Sequence, residues 1–443
     1  MQKLAANIDA TPPANSLREE INTRGAIAII GVLFFVFGFV TWLNGSLIPF
    51  LKAICHLTPA EALLVTFAFY IAYAVTALPM SAILARTGYR AGMALGLGIM
   101  AVGALLHIPA AYLANFPLFL IGLFTLGTGL TILQTASNPY IVLLGPIESA
   151  AMRISLMGII NKTAGVIVPL VFASVVLSDL GDPAVLAHSQ VTPEVAQALA
   201  ARLVLPYLAM AAVLLMLVGL IRLAPLPEIE PEAETQAGRE RTSIFHYPQL
   251  VLGVATLFAY VGLEVLAGDT IGLFAQSLGV ARFATLTSFT MGFMVIGYAL
   301  GVALIPRFVS QSTALAACAL AGLVATAGIL LSSSASSAIS AMLWGWLGLP
   351  AIPDPVFFVA SMGLANSLVW PAVWPLALDG LGRFTARGSA LLIMAIAGGA
   401  IIPLVFGWIS GVIGDMQQAY LIAVPCYALI LFYALKGHRI RSW

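Results

Sequence analysis

The chain has 443 residues, of which 61% are hydrophobic and only 8% are charged, with a formal net charge of +1. A soluble domain carries about a quarter charged residues, so this composition excludes a soluble globular protein and indicates an integral membrane protein. The near-neutral charge gives no indication of a nucleic-acid partner. Cys55, Cys318 and Cys426 form no CxxC pair, so neither a metal site nor a disulfide framework is expected.

Twelve apolar segments are each long enough to cross a bilayer as a helix, which takes about 20 residues. The sequence therefore predicts an all-α membrane protein with helices 1 to 12 at residues 25–51, 60–85, 91–113, 117–144, 153–178, 199–222, 247–276, 283–309, 312–332, 355–379, 385–412 and 418–436. The N-terminal residues lack the pattern of a cleaved signal peptide, so we expect helix 1 to be retained after a cytoplasmic tail at 1–24. A second cytoplasmic tail is expected at 438–443.

The positive-inside rule orients these helices. With both termini in the cytoplasm, fifteen lysines and arginines lie on the cytoplasmic side, and only Lys52, Arg202 and Arg282 lie outside. The longest charged loop, residues 223–246, is rich in proline and glutamate. It predicts two six-helix bundles, at 25–222 and 247–437, joined by a cytoplasmic linker. That linker is either a plain solvated connection or a regulatory or partner-binding segment.

The two halves resemble each other at a shift of 234 residues. RISLMGIINKTAGVIVPLVF (153–172) and RGSALLIMAIAGGAIIPLVF (387–406) share nine of twenty residues, which indicates an internal repeat of the kind found in transporters. Helices 5 and 11 are therefore predicted to be equivalent. Lys162 lies opposite Ile396 in this alignment, so the fold itself does not require a cation at that position.

Three ionisable residues interrupt the apolar segments: Lys162 in helix 5, and Glu264 and Asp269 in helix 7. Ionisable residues within a bilayer are costly and mark functional sites by default. We interpret the three as an ion-coupling group in which Lys162 is the partner of the acids. The alternative is a structural salt bridge without a transport role. The same part of helix 7 contains three glycines that suggest a bend or break, Gly262, Gly268 and Gly272.

Amide and indole side chains accompany these charges. Amides supply hydrogen-bond donors and acceptors together, and an indole offers a flat apolar face with one donor, a combination that suits a sugar. The predicted substrate site combines Lys162 and Glu264 with Asn44, Gln134, Asn138, Asn161, Asn366, Trp370 and Trp374. The alternative is helix–helix adhesion for the amides and core packing for the tryptophans. His56 and His107 are expected near the outer surface as interfacial residues.

Motifs of catalysis and of nucleotide binding are absent from the sequence. It contains no HExxH, no GxxxxGK[ST] and no GxSxG, which argues against intramembrane hydrolysis and ATP-driven transport. We therefore expect no enzyme activity, no cofactor and no bound metal.

Five stretches carry more specific information: GFVTWLNGSLIPFLK (38–52), QTASNPYIVLLGP (134–146), RISLMGIINKTAG (153–165), VGLEVLAGDTIGLF (261–274) and LANSLVWPAVWPLALDGLGRFT (364–385). Together they resemble the fucose permease and bacterial glucose/galactose transporter branch of the major facilitator superfamily, from helix 1 to helix 11. The resemblance implies two pseudo-symmetric bundles, a sugar cavity near the midplane and cation-coupled uptake by alternating access.

Two positions depart from that family. Fucose permease has an aspartate in the helix 1 motif where this chain has Gly45, and a glutamate in the helix 4 motif where it has Gln134. Those acids are the proton-linked pair of the family, so coupling by that route is called into question. Glu264, which resembles the helix 7 glutamate of the glucose/galactose branch, and Asp269 become the candidate ion-coupling residues.

The sequence as a whole predicts a sugar:cation symporter of the bacterial inner membrane. The expected substrate is glucose, galactose or a related hexose such as N-acetylglucosamine, and the coupling cation is H⁺ or Na⁺. The alternatives are an uncoupled sugar facilitator and a transporter-like sugar receptor. The protein is expected to act as a monomer whose partners are the substrate and the lipid bilayer.

Overall fold

The computed structural model describes residues 14–144, 150–176, 193–224, 244–305 and 307–443, and these residues form helices and turns without strands. Twelve helices are long and apolar enough to cross a membrane, which confirms the predicted all-α architecture. Helices 1 to 12 span Gly25–Ile54, Pro59–Ala77, Arg86–Leu113, Phe116–Asn138, Met152–Val176, Glu194–Leu223, Pro248–Ser277, Phe283–Leu304, Gln311–Leu331, Asp354–Leu378, Arg387–Ile413 and Met416–Leu435.

Helix 1 is longer than predicted and is interrupted. Its first segment, Ala14–Trp42, includes part of the predicted tail, and a second segment, Asn44–Ile54, follows after Leu43. Pro49 in the second segment has no N–H group, so it cannot bond the carbonyl of Gly45 one turn earlier. The first thirteen residues and most of the predicted linker, residues 225–243, lie outside the described part of the chain.

Helix 7 is continuous. It runs from Pro248 to Ser277, so of the bend or break that its three glycines suggest, the break does not occur. Two of these glycines instead allow close packing: Gly268 lies against the ring of Trp42, and Gly272 lies against the carbonyl oxygen of Gly45. The small residues therefore accommodate helix 1, and the backbone of helix 7 keeps its own hydrogen bonds.

Other departures from the sequence prediction lie in the second half of the chain. Helix 10 consists of two segments, Asp354–Asn366 and Val369–Leu378. A short apolar helix, Ala338–Trp344, occupies the connection before it, which the sequence analysis left without structure. Trp344 of this short helix packs against Phe289, Phe293 and Phe357.

Among the described residues, three helix pairs make the most extensive contacts between the first six helices and the last six. Helix 5 packs along helix 8, helix 2 packs along helix 11, and the second segment of helix 1 packs on helix 7. Hydrogen bonds cross between the halves in the second half of helices 1 and 5: Ser46 donates to the Ala284 carbonyl at 2.7 Å, and Ser288 donates to the Val166 carbonyl at 2.7 Å.

Both hydrogen bonds lie in the half of the membrane region where helices 1, 5 and 7 end, which we call the predicted outer half. The packing of helix 5 on helix 8 also extends beyond this half, because Gly158 lies against Tyr298. Among the described residues, helices 4 and 10 share no extensive interface of this kind. The two bundles are therefore closed against each other in the predicted outer half.

Helices 1 and 5 approach each other at backbone distance. A methyl group added at Gly38 would overlap the carbonyl oxygen of Asn161, so only glycine fits this position. Gly38 lies one helical turn before Trp42, and Asn161 immediately precedes Lys162. The close contact therefore fixes the positions of Trp42 and Lys162 relative to each other.

Gly38→Ala should lower the melting temperature of the protein in detergent by several degrees, because overpacking of a tight interface costs about 1–3 kcal/mol. The matched control is Gly98→Ala in helix 3, where an added methyl group meets nothing within 4 Å. The control should melt at the temperature of the natural protein, and equal melting temperatures for the two variants would contradict the assigned packing.

Candidate functional site

A buried ion pair joins the two bundles near the middle of the membrane region. The Lys162 ammonium on helix 5 binds the Glu264 carboxylate on helix 7, and the two side chains are 10% and 8% exposed. Lys162 lies nine residues after Arg153, about 13 Å along the helix axis. The sequence prediction of a lysine–acid partnership thus corresponds to a direct contact, and Glu264 is the acid involved.

The ion pair offsets the free-energy cost of burying a lysine in an apolar helix. A single buried charge is strongly unfavourable, whereas a hydrogen-bonded pair of opposite charges offsets much of that cost. At the position that the internal repeat matches to Lys162, helix 11 carries Ile396, which is buried without any charge. The pair therefore belongs to one half of a repeated scaffold.

Trp42 is the third member of this cluster, and the sequence analysis did not select it. The Lys162 ammonium lies 4.4 Å from the centre of the Trp42 ring, which is a cation–π contact. The indole N–H donates to the side-chain oxygen of Asn161 at 3.4 Å. In the sequence Trp42 is an aromatic residue within an apolar segment, where it resembles ordinary core.

Asp269 lies five residues after Glu264, about 7.5 Å further along helix 7. It is fully buried, and its Oδ2 accepts a hydrogen bond from Thr66 of helix 2 at 2.8 Å. Its Oδ1 is buried without a hydrogen-bond partner. Helix 7 thus presents two acids to the first bundle, one bound by a lysine and the other by a hydroxyl group.

Buried tyrosines accompany the two acids. Tyr70 of helix 2 and Tyr298 of helix 8 are buried, and the buried Tyr260 lies one helical turn before Glu264 on helix 7. The Tyr260 ring lies 6.4 Å from the ring of Trp370. These tyrosines extend the polar cluster from helix 7 towards helices 2, 8 and 10.

The other predicted substrate residues differ in whether they lie near the ion pair or are bonded elsewhere in their own bundle. Asn161 is half-buried beside the ion pair and also donates to the Phe34 carbonyl at 3.3 Å, and Trp370 stands 5.3 Å from Trp374, ring centre to ring centre. Asn366 has a partner within its own bundle, because its side-chain oxygen accepts a hydrogen bond from Tyr427 of helix 12 at 2.9 Å.

The predicted positions on helices 1 and 4 show two different environments. Asn44 is buried in the second segment of helix 1, and its Nδ2 has no hydrogen-bond partner. Gln134 and Asn138 are half-buried on helix 4. None of the contacts described above links these three amides to the ion pair, so their part in a shared site stays a prediction.

His107 is not interfacial, contrary to the sequence prediction. It is fully buried, its ring stacks on Tyr207 with 4.0 Å between ring centres, and its Nδ1 lies 2.8 Å from the Gly103 carbonyl oxygen. His56 is exposed. The difference arises because the His107 side chain faces Tyr207 of helix 6, a direction that an all-round apolar helix does not reveal in its sequence.

An apolar groove lies apart from this site. With a volume of about 550 Å³, it opens between helices 7, 11 and 12, and it contains none of the predicted site residues. No group of three or more His, Cys, Asp and Glu side chains that could hold a metal ion occurs among the described residues.

Comparison with known families identifies the architecture. The sequence model of the Major Facilitator Superfamily matches residues 30–403. The chain belongs to this superfamily. Two related proteins place it in the predicted branch: a glucose/galactose transporter of Brucella abortus is 33% identical over 437 residues, covering 97% of this chain and 98% of the relative. The L-fucose-proton symporter of Escherichia coli is 30% identical over 423 residues, covering 92% of each chain.

Solved structures agree with this assignment. A superfamily transporter, FucP, in the outward conformation matches with a TM-score of 0.69 and 27% identity, covering 94% of this chain and 98% of that chain. A bacterial homologue of the lysosomal transporter Spinster, in an inward-facing conformation, matches with a TM-score of 0.62 at 14% identity and shows the fold alone. This superfamily member is therefore a multi-pass membrane transporter and not an enzyme.

Removing one member of the ion pair should cost more stability than removing both. Lys162→Met leaves Glu264 as a buried unpaired charge, a change that costs about 3–5 kcal/mol in folded proteins. The double variant Lys162→Met with Glu264→Gln removes both charges and should recover much of the melting temperature that the single variant loses.

The matched control is Lys52→Met, the same substitution at a lysine near the end of helix 1. It should melt close to the natural protein, because Lys52 lies outside the cluster. The comparison also needs Glu264→Gln alone. If the melting temperature of the double variant falls by the sum of the decreases in the two single variants, Lys162 and Glu264 do not act as a pair.

Proposed function

We propose that this protein is a proton-coupled sugar transporter of the bacterial inner membrane that takes up glucose, galactose or a related hexose by alternating access. The observation that carries the proposal is the Lys162–Glu264 ion pair, because it joins the two bundles of a transporter fold beside polar and aromatic side chains. The names of the relatives support both parts of the proposal, since one is called a glucose/galactose transporter and another an L-fucose-proton symporter.

The substrate site would lie around the ion pair. Asn161 and Lys162 supply donors from the first bundle, Glu264 supplies acceptors from the second, and the Trp370 ring stands nearby beyond Tyr260. A hexose has a ring of hydroxyls and an apolar C–H face, and such groups match amide and charged partners together with an indole. One chain contains all of these residues, so the proposed site requires no second copy of the protein.

Asp269 is the proposed proton site. It has no cationic partner among the described contacts, and one of its oxygens is buried without a hydrogen bond. A buried carboxylate in such a place carries a large desolvation cost, which a bound proton removes. The neutral residues Gly45 and Gln134 stand where fucose permease has its proton-linked acids, so Glu264 and Asp269 of helix 7 become the candidates in this chain.

Coupling would follow from where the two acids lie. Glu264 binds Lys162 and Asp269 binds Thr66, so both acids of helix 7 hold the first bundle while the predicted outer half is closed. Opening that half separates helix 7 from its partners and exposes the acids. A ligand drives such a change only by binding one state better than the other, and protons and sugar hydroxyls can both do so here.

An uncoupled facilitator is the second candidate function. The observation in its favour is that Lys162 places a fixed cation beside Glu264, where a coupled carrier would bind a mobile one. In that mechanism the ammonium would neutralise the acid permanently, and no external cation would be needed.

Sugar uptake into proteoliposomes of the purified protein distinguishes these functions. The panel of hexoses includes glucose and galactose. We expect sugar to accumulate inside the vesicles when the outside is made more acidic than the inside, and not to accumulate when only a sodium gradient is imposed. Uptake that equilibrates but never exceeds the external concentration under either gradient would favour the facilitator. Absence of both uptake and counterflow across the panel would overturn the proposed function.

Asp269→Asn should abolish accumulation driven by the pH gradient while sugar exchange across the membrane continues, because asparagine keeps the shape but cannot gain or lose a proton. The measurement compares accumulation with counterflow in the same vesicles. Glu61→Gln, which changes an exposed acid at the start of helix 2, is the matched control and should accumulate sugar normally. Accumulation by Asp269→Asn at the natural level would exclude Asp269 as the proton site.

A further inference from the structure

Trp42 and Lys162 belong to the same bundle, whereas Glu264 belongs to the other. The ammonium of Lys162 therefore has two partners that behave differently when the bundles move apart. Opening the predicted outer half withdraws helix 7, and with it the Glu264 carboxylate. The contacts of Trp42 with helix 5 lie within the first bundle, so a rigid-body separation of the two bundles leaves the ring beside Lys162.

Two contacts hold the Trp42 ring on helix 5, in addition to its contact with the Lys162 ammonium, and a third contact of helices 1 and 5 lies close by. Its N–H donates to the Asn161 side chain, its ring packs against Gly165, and the backbone contact of Gly38 with Asn161 lies one turn away. A residue larger than glycine at either glycine position would collide with its neighbour. The first bundle thus holds the ring over the ammonium from one side.

On the side facing the second bundle, the same ring packs against Gly268 of helix 7 and near Met291 of helix 8. These are apolar van der Waals contacts, which separate without leaving an unpaired polar group. Trp42 can therefore separate from the second bundle while its contact with the Lys162 ammonium remains.

We propose that Trp42 is a positioning residue for transport: its aromatic face holds the Lys162 ammonium in place during the part of the cycle in which Glu264 has withdrawn. Without that contact the ammonium would stand unpaired in a partly apolar environment, and the state open on the predicted outer side would be harder to reach. A cation–π contact is strong where water is scarce, so the ring makes the ion pair reversible. This inference rests on the proposed transport function.

Fluorination of the ring tests this role without changing its shape. Mono-, di- and trifluorinated tryptophans, inserted at position 42 by amber suppression, withdraw electron density from the ring face and weaken cation–π attraction stepwise. We expect the maximal rate of sugar counterflow to fall with each added fluorine, by at least about tenfold over the series. A role in packing alone would leave the rate unchanged along the series, because fluorine hardly alters the size of the ring.

The matched control is the same series at Trp346, which is 78% exposed and lies in the connection before helix 10. Counterflow should not change there. A rate at position 42 that is independent of fluorination would overturn the role of Trp42, while the natural protein would still transport sugar and the proposed function would stand. A natural protein without any counterflow would overturn both.

Discussion

The Lys162–Glu264 ion pair is the interaction on which the arrangement of the two bundles depends. It places opposite charges from helices 5 and 7 in an apolar region where neither could remain alone. Because each charge belongs to a different bundle, the stability of the pair and the closure of the predicted outer half are linked. A salt bridge within one bundle would stabilise that bundle without affecting which side of the transporter is closed.

Helix 7 is the element through which this link would couple the binding of sugar to the binding of a proton. It is continuous, its glycines let helix 1 approach closely, and it presents a second acid, Asp269, to Thr66 of helix 2. Sugar and proton would thus act on the same helix, about one and a half turns apart. The structure differs in this respect from a scheme with acids on helices 1 and 4, where this chain has Gly45 and Gln134.

Much of the fold and one central contact could be predicted from the sequence. Apolar length gave the helices, and the cost of a charge in lipid pointed from Lys162 to the acids of helix 7. Side-chain direction could not be predicted, since an all-round apolar helix has no polar face to orient it. For this reason the sequence does not distinguish Trp42 from a core residue, and it does not show that His107 stacks on Tyr207. The interruption of helix 10, which separates Asn366 from Trp370, is likewise invisible in the sequence.

A distance between the two bundles tests the central claim most directly. With Cys55, Cys318 and Cys426 replaced, spin labels on His56→Cys and Ala281→Cys report the separation of the exposed ends of helices 1 and 7 in lipid. The account predicts a short distance in the natural background and a clear population at longer distance when Glu264→Gln removes the charge that holds Lys162. An unchanged distance distribution in Glu264→Gln would contradict the claim that the ion pair holds the predicted outer half closed.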